Sequence, residues 1–559
     1  MKEHGQLFEV VKCFCSIDLH PYKLEPDGKV AVDAEGRRVD NVSNLEMGYV
    51  FEELIRRFSE QANEDAGDYF TPREVIRFMV NLLFNEDGEV LRKAGKVRTL
   101  YDPACGTGGM LSVAQDYLYE LNPEATLQVF GQEHNKETYA ICKADMLLKG
   151  QNPDNIKFGN SFTEDGLPDE RFSYCMSNPP FGVEWKTQQP AIEREASRGH
   201  AGRFGAGLPR INDGSLLFLQ HMVSKMRRPE EGGTRIAVVF NGSPLFTGGA
   251  ASGESDIRKW LIENDWLEAI IALPESLFYN TGISTYVWLV TNRKSKARIG
   301  KVQLVNGASF HRKMRRPLGE KRLEIGDQQI AELTQIYGDL RDGEHVRVLD
   351  NADLGYQRIT VERPLRLNFE VTPERLQRLL DGAAWKSPAT FKATRSVGGP
   401  ERIDPSAVRE ALLRALKRLP ATRLFRDRRL FEKAIVEASR KEGFIPPKPL
   451  MKALFAGLGE RDEAAEICRD EHSQPEPDPE LRDFENVPLK QAIPDFMARE
   501  VLPVYPDAWV ADSLTRVGYE IPFGKYFYKY TEPRPLALIA EEARLLEAEI
   551  QRLLIGALG

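Results

Sequence analysis

The chain has 559 residues, 42% of them hydrophobic and 29% charged, with a formal net charge of -8 and a mean hydropathy of -0.42. That profile excludes a disordered or membrane-embedded protein, leaves length for roughly three to four domains, and argues against wholesale attraction to nucleic acid. Any phosphate contact must therefore be local.

The first residues, "MKEHGQLFEVVKCFCSIDLHPYK", have neither the apolar core nor the cleavage site of a signal peptide. No apolar stretch approaches the roughly 20 residues of a membrane helix, so a cytoplasmic chain without membrane association is expected. The six cysteines, Cys13, Cys15, Cys105, Cys142, Cys175 and Cys468, form no CxxC pair and lack the histidines of a zinc site. No metal is expected.

Residues 44–63, "NLEMGYVFEELIRRFSEQAN", carry apolar positions at helical spacing. "TPREVIRFMVNLLF" predicts a second helix, with Thr71 as N-cap and Pro72 at the first helical position. From residue 96 a short apolar run leads into "DPACGTGG" and a helix; "TLQVFGQE" reads as a strand, "KETYAICKADMLLKG" as a helix and "FSYCMSNPP" as a strand with its loop. Further alternation through "SLLFLQHMVSKMR", "TRIAVVFN", "DIRKWLIENDWLEAIIALP" and "STYVWLVTN" implies βαβ units and a doubly wound parallel sheet of about seven strands over roughly 95 to 310.

Beyond about 320 the segments become charged and helical, and "RDEHSQPEPDPELRDFENVP" looks like an exposed linker or loop. The last residues, "RPLALIAEEARLLEAEIQRLLIGAL", predict an amphipathic helix that either docks on its own domain or offers a seam to a partner. The expected organisation is a short helical region over 1–66, an α/β domain over 67–320 and a mostly helical region over 321–559.

The turn "DPACGTGG" lies between a strand and a helix, where Gly106, Thr107, Gly108 and Gly109 let a ligand approach the backbone. It is not the dinucleotide fingerprint, because Leu111 stands where that pattern requires glycine. Asp102, at the strand end, suits a ligand ammonium; the helix N-terminus suits a carboxylate; Glu133, at the end of the next strand, suits both hydroxyls of a ribose. Together these describe S-adenosylmethionine. Tyr69, Phe70 and Thr71 precede the helix that opens at Pro72 and are further candidate contacts.

"SYCMSNPPFG" places Asn178, Pro179, Pro180 and Phe181 after a later strand of the same sheet. The exocyclic amine of a nucleobase is a poor nucleophile because its lone pair is delocalised into the ring. Acceptors on its two hydrogens favour a pyramidal nitrogen, and the Asn178 side-chain oxygen and the Pro179 carbonyl suit that role. Proline holds such a loop rigid, and Phe181 offers a face on which an extruded base can stack.

In that order, "FTPRE", "DPACGTGGML", "GQE", "SNPPFG" and "LPESLFYNTGIST" resemble the modification subunit of type I restriction-modification systems, an N6-adenine DNA methyltransferase. The likeness covers about 45 to 295, extends to the tail "REVLPVYPDAWVADSLTRVGYEIPFGKYFYKY", and follows the gamma order of amino-methyltransferases. It implies a Rossmann-like methyltransferase fold. Cofactor contacts would fall at Tyr69, Phe70, Thr71, Asp102, Gly106 to Gly109 and Glu133, with Asn178, Pro179, Pro180 and Phe181 as the target-amine loop.

Asn160 stands where the family often carries an acid beside the cofactor adenine, and its amide is expected to accept from the adenine amine. Only about 65 residues precede the FTP segment, so a shortened N-terminal region is expected. The resemblance also implies double-stranded DNA as substrate, a specificity subunit flanked by two modification subunits, and a separate restriction subunit. A protein glutamine N5-methyltransferase, which faces the same amine chemistry, and a catalytically weak scaffold are the alternative readings.

Two further stretches bear on DNA. "NRKSKARIGKVQLVNGASFHRKMRRPLGEKR" is dense in Lys and Arg, and reads either as a solvated surface or as a phosphate-tracking one. "KTQQPAIEREASRGHAGRFGAGLPR" reads as a mobile loop that orders over DNA.

Overall fold

The computed structural model describes residues 71–88, 97–279, 281–391, 394–397, 403–420, 423–528, 530 and 534–558, with 23, 25–26 and 29–32. Tyr69, Phe70 and the helix expected over 44–63 lie outside the described residues. The chain forms two compact units, one of Met1–Gly355 with Gly518–Gly559 and one of Tyr356–Val517.

The first unit is built on a nine-stranded sheet. In chain order its elements are α1 (Arg73–Phe84), β1 (Val97–Asp102), α2 (Gly109–Leu121), β2 (Thr126–Glu133), α3 (Lys136–Leu148), β3 (Ile156–Phe158) and β4 (Tyr174–Ser177). There follow α4 (Gln189–Ala196), α5 (Ser215–Ser224), β5 (Arg235–Asn241), α6 (Gly253–Glu263), β6 (Leu267–Ala272), β7 (Thr285–Thr291) and β8 (Lys301–Asn306). The hairpin β9 (Arg312–Leu318) and β10 (Lys321–Glu324), α7 (Asp327–Asp339) and β11 (Val346–Asp350) complete the series.

Strand order is β11-β8-β6-β7-β5-β4-β1-β2-β3, the hairpin forming a separate two-stranded sheet. This is a doubly wound, Rossmann-like α/β fold, with two departures from the expected seven parallel strands. β7 runs antiparallel to both β5 and β6. The link between β6 and β7 contains no helix, and without a crossover helix the chain turns back on itself rather than returning to the same edge. The sheet also continues past 320, because β11 adds antiparallel to β8 from Val346↔Val305 to Asp350↔Lys301.

Alternation along β1 shows the double winding. Leu100 belongs to an apolar core shared with α1, α2 and α7, through Phe78, Leu82, Leu111 and Leu333. Tyr101 faces the other way, stacks on Phe172 with centroids 4.7 Å apart, and its hydroxyl lies 2.9 Å from His221 Nε2 on α5. Burial drives the His221 imidazole down to about 3, so the ring is neutral.

α1 starts one residue later than the sequence suggests. Its N-cap position is Pro72, whose side chain carries no acceptor and so gives no cap; the Thr71 hydroxyl instead accepts from Asn178. The segment expected to be mobile, 186–210, is instead folded. Ile192 and Phe204 join Phe162, Trp185 and Leu217 in a small buried cluster, and Arg203 donates to Glu195, Ser161 and Phe162.

Among the described residues the second unit holds six α-helices, of which Pro405–Lys417, Arg428–Lys441 and Lys448–Leu458 pack around Phe369, Leu412, Phe431 and Leu454. It is less helical than expected. Asp483–Pro488, inside the expected linker, pairs antiparallel with Tyr356–Val361. Just before it, Asp478 is buried against Arg461 at 2.7 Å, which ties down the acid-rich stretch.

The terminal helix, Leu536–Leu558, leaves Leu536, Leu538, Leu545, Leu546, Ile550 and Leu553 exposed. Among the described residues it docks on nothing. No helix of the described residues is long and apolar enough to cross a membrane.

Candidate active site

The carboxyl ends of β1, β2 and β4 meet at one edge of the sheet, where a parallel α/β sheet opens a crevice. The register Asp102↔Gly131 carries β1 and β2 to that edge side by side, and Leu100↔Tyr174 brings β4 alongside. A cavity of about 280 Å³ lies there. Thr71, Asp102, Gly106, Thr107, Gly109, Glu133, Asn160, Asn178 and Pro180 line it, all of them named from the sequence.

The glycine turn is shaped by sterics. Gly108 has φ +85°, a conformation that a side chain rarely adopts, and a Cβ there would stand 2.8 Å from Cys142 Sγ on α3. Gly108 thus turns the chain into α2 without lining the cavity. The turn is closed by Glu133, whose Oε2 accepts from the Gly106 N–H at 2.9 Å and whose Oε1 accepts from the Asn135 N–H at 2.8 Å.

Two carboxylates in this small space have opposite electrostatics. Asp102 is buried, and that burial, with Glu133 nearby, pushes its pKa up to about 7 despite hydrogen bonds from the Ala104 N–H and the Ser177 hydroxyl. Burial also acts to raise Glu133, but His134 and the N–H groups of Asn135 and Gly106 outweigh it and hold the carboxyl below its ordinary value. Near neutral pH one group is readily protonated while the other stays ionised.

At the far wall, Asn178 Nδ2 donates to Thr71 Oγ1 at 3.0 Å. Its Oδ1 is buried and has no hydrogen-bond partner among the described residues. An unpaired buried acceptor costs about 1–3 kcal/mol, and such a defect in a cleft points to a donor that arrives with a ligand.

Three expected residues are placed differently. Asn160 lines the cavity, and its Oδ1 accepts from the Phe162 N–H at 2.9 Å and so shapes its own turn. Pro179 is buried and lies outside the cavity lining. Phe181 packs partly buried against the main core. The aromatic walls come instead from Phe162, Trp185 and Phe218, joined by Gln132 and His134.

Sequence reasoning missed these residues. Gln132 and His134 flank Glu133 in "GQEHN", which is a usable signal. Trp185 sits just before the segment read as a mobile loop and Phe218 on the helix after it, so nothing local betrays them.

The description N-6 DNA Methylase matches residues 43–353. The chain is 24% identical over 331 residues to the type I restriction enzyme MjaIX methylase subunit of Methanocaldococcus jannaschii, covering 59% of this chain and 55% of that protein. It is 28% identical over 257 residues to the HindI methylase subunit of Haemophilus influenzae (45% and 53%), and 32% identical over 254 to the EcoEI methylase subunit of Escherichia coli (44% and 46%). The chain thus spans about half the length of the curated relatives it matches.

A solved methyltransferase subunit of a type I restriction-modification system from Streptococcus thermophilus aligns with a TM-score of 0.46 at 22% identity, over 57% of this chain and 62% of that one. The family match covers more than half of the 559 residues and contains the whole cavity from Thr71 to Phe218: the chain belongs to the N-6 DNA methylase family.

Proposed function

We propose that the chain is the DNA-modifying subunit of a type I restriction-modification system, transferring a methyl group from S-adenosylmethionine to the N6 amine of an adenine rotated out of the duplex. The observation that carries this reading is the unpartnered Asn178 Oδ1 in the same small cavity as buried Asp102 and Glu133.

The residues fit the cofactor. Asp102 and Glu133 offer carboxylates to an ammonium and to ribose hydroxyls, the Asn160 amide is available to an adenine edge, and the glycine turn leaves the backbone open. S-adenosylmethionine supplies an electrophilic methyl group on its sulfonium.

Everything else falls to the chain. Thr71 holds the Asn178 amide through Nδ2, which leaves Oδ1 as an acceptor for one amine hydrogen. The Pro179 carbonyl takes the second in this reading, and together they favour a pyramidal nitrogen with its lone pair available. Trp185, Phe162 and Phe218 exclude water and offer the aromatic surface first assigned to Phe181.

Sequence choice belongs to a specificity subunit flanked by two copies of this chain, with a restriction subunit joining them. The exposed leucines and isoleucines of the terminal helix support contact with such a partner. The test combines the chain with the specificity subunit encoded beside it, labelled S-adenosylmethionine and duplex DNA. N6-methyladenine is expected; label on protein but not on DNA overturns the reading in favour of an amide-methylating enzyme, and cofactor binding without transfer overturns it in favour of a scaffold.

A further inference from the structure

We propose that the β9–β10 hairpin is a phosphate-binding arm that holds duplex DNA beside the mouth of the cavity; this rests on the DNA reading above.

Topology puts the hairpin at the right edge. β8 is parallel to β6, and antiparallel β7 between β6 and β5 makes β6 parallel to β5, which is itself parallel to β4. The chain therefore leaves β8 at Asn306 on the edge where Asp102 and Ser177 end, and the hairpin follows within a few residues.

Its turn end is fixed beside the site. Lys321 is buried; its ammonium pairs with Glu74 in the first turn of α1 and donates to the Leu277 and Leu323 carbonyls at 3.0 Å each. Glu74 lies three residues after Thr71, whose hydroxyl holds Asn178. The Arg322 N–H donates to Ser276 O at 2.8 Å and the Glu320 N–H to Tyr279 O at 2.9 Å, so the loop after β6 clamps the same turn end.

The charge on this basic stretch divides in two. Arg293 is neutralised by Asp87, Lys294 by Asp265, and buried Arg298 donates to Gln303 Oε1 and the Tyr337 carbonyl. Those cations serve the fold. On the hairpin, Arg312 keeps Glu324 as partner at 2.7 Å, whereas Lys313, Arg315 and Arg322 are exposed and form no ion pair among the described residues.

Three unpaired cations, with Glu320 at the turn as a nearby exposed acid, stand out on a chain whose net charge is -8. A base turned into the cavity brings its own flanking phosphates to the mouth. Cations on an anchored arm there meet those phosphates without ordering a long loop, and they fix position rather than read sequence.

The experiment uses the full chain and a non-specific duplex, titrated across a salt series, with Lys313→Gln/Arg315→Gln/Arg322→Gln as the test variant. Lys417→Gln/Lys441→Gln/Lys452→Gln, exposed cations of the second unit, is the charge-matched control. The expected result is weaker binding and a fall of about two to three in the slope of log affinity against log salt for the hairpin variant alone, at about 0.9 per lost phosphate contact. S-adenosylmethionine binding should stay unchanged. Wild-type slope and affinity in the hairpin variant, or an equal loss in the control, overturns the arm while leaving the DNA reading intact. A wild-type chain that neither binds duplex nor methylates it beside its specificity subunit overturns the DNA reading itself.

Discussion

Asn178 and Thr71 are 107 residues apart in the chain, and a 3.0 Å hydrogen bond from Nδ2 to Oγ1 joins them at the cavity wall. The bond decides which end of the amide is tied and which is left without a partner. α1 has no side-chain cap because Pro72, which carries no acceptor, holds its N-cap position.

Thr71→Val should therefore lower kcat by about 10²-fold, the scale of a misplaced reacting group, while the S-adenosylmethionine KM changes little. Thr71→Ser keeps the hydroxyl and should restore most of the rate. Steady-state kinetics on both variants distinguishes amide positioning from a packing role, since valine matches threonine in shape and would rescue packing.

Removing the amide itself is more severe. Asn178→Ala should cut transfer by about 10²–10³-fold, as loss of a transition-state hydrogen-bonding group does, with cofactor dissociation nearly unchanged by calorimetry. Transfer near the original rate would show that Asn178 does not serve the target amine.

In the proposed reading, Asp102 predicts a pH dependence of cofactor binding. With its pKa raised to about 7, the carboxyl is neutral below that pH and ionised above it, and only the ionised form attracts an ammonium. Affinity should be steady above about pH 8 and fall by about tenfold per unit below 7, the slope of one proton taken up. Asp102→Asn should bind weakly at every pH and lose the slope, which calorimetry from pH 5.5 to 8.5 would measure.

The alternation of strands and helices was readable because each element carries its own periodicity, and the glycine turn, Glu133 and N-P-P-F were readable because their chemistry is local. What escaped was set by tertiary partners. Thr71 has the composition of an N-cap, but Pro72 takes that position and the Thr71 hydroxyl accepts from Asn178, which follows β4. The 186–210 segment has the glycines and charges of a mobile loop, yet Arg203 finds Glu195 and two backbone carbonyls, and Phe204 finds Phe162. Phe181 was assigned to the ligand by its place beside the prolines, and its partial packing against the core is a tertiary contact that place does not announce. β7 has a strand's composition in either direction, and the helix-free connection alone fixes it as antiparallel.

Gly108 offers a test of the turn that needs no substrate. Alanine there meets two separate obstacles, the φ of +85° and the 2.8 Å approach to Cys142 Sγ. Gly108→Ala should destabilise the protein by about 1–3 kcal/mol, the range of a residue held in the left-handed region, and weaken S-adenosylmethionine binding through the displaced turn. Cys142→Ala in the same chain removes the clash but not the backbone strain, so it should recover only part of the lost thermal midpoint. Full recovery in that double variant would assign the glycine to packing alone, and no recovery would assign it to backbone conformation alone.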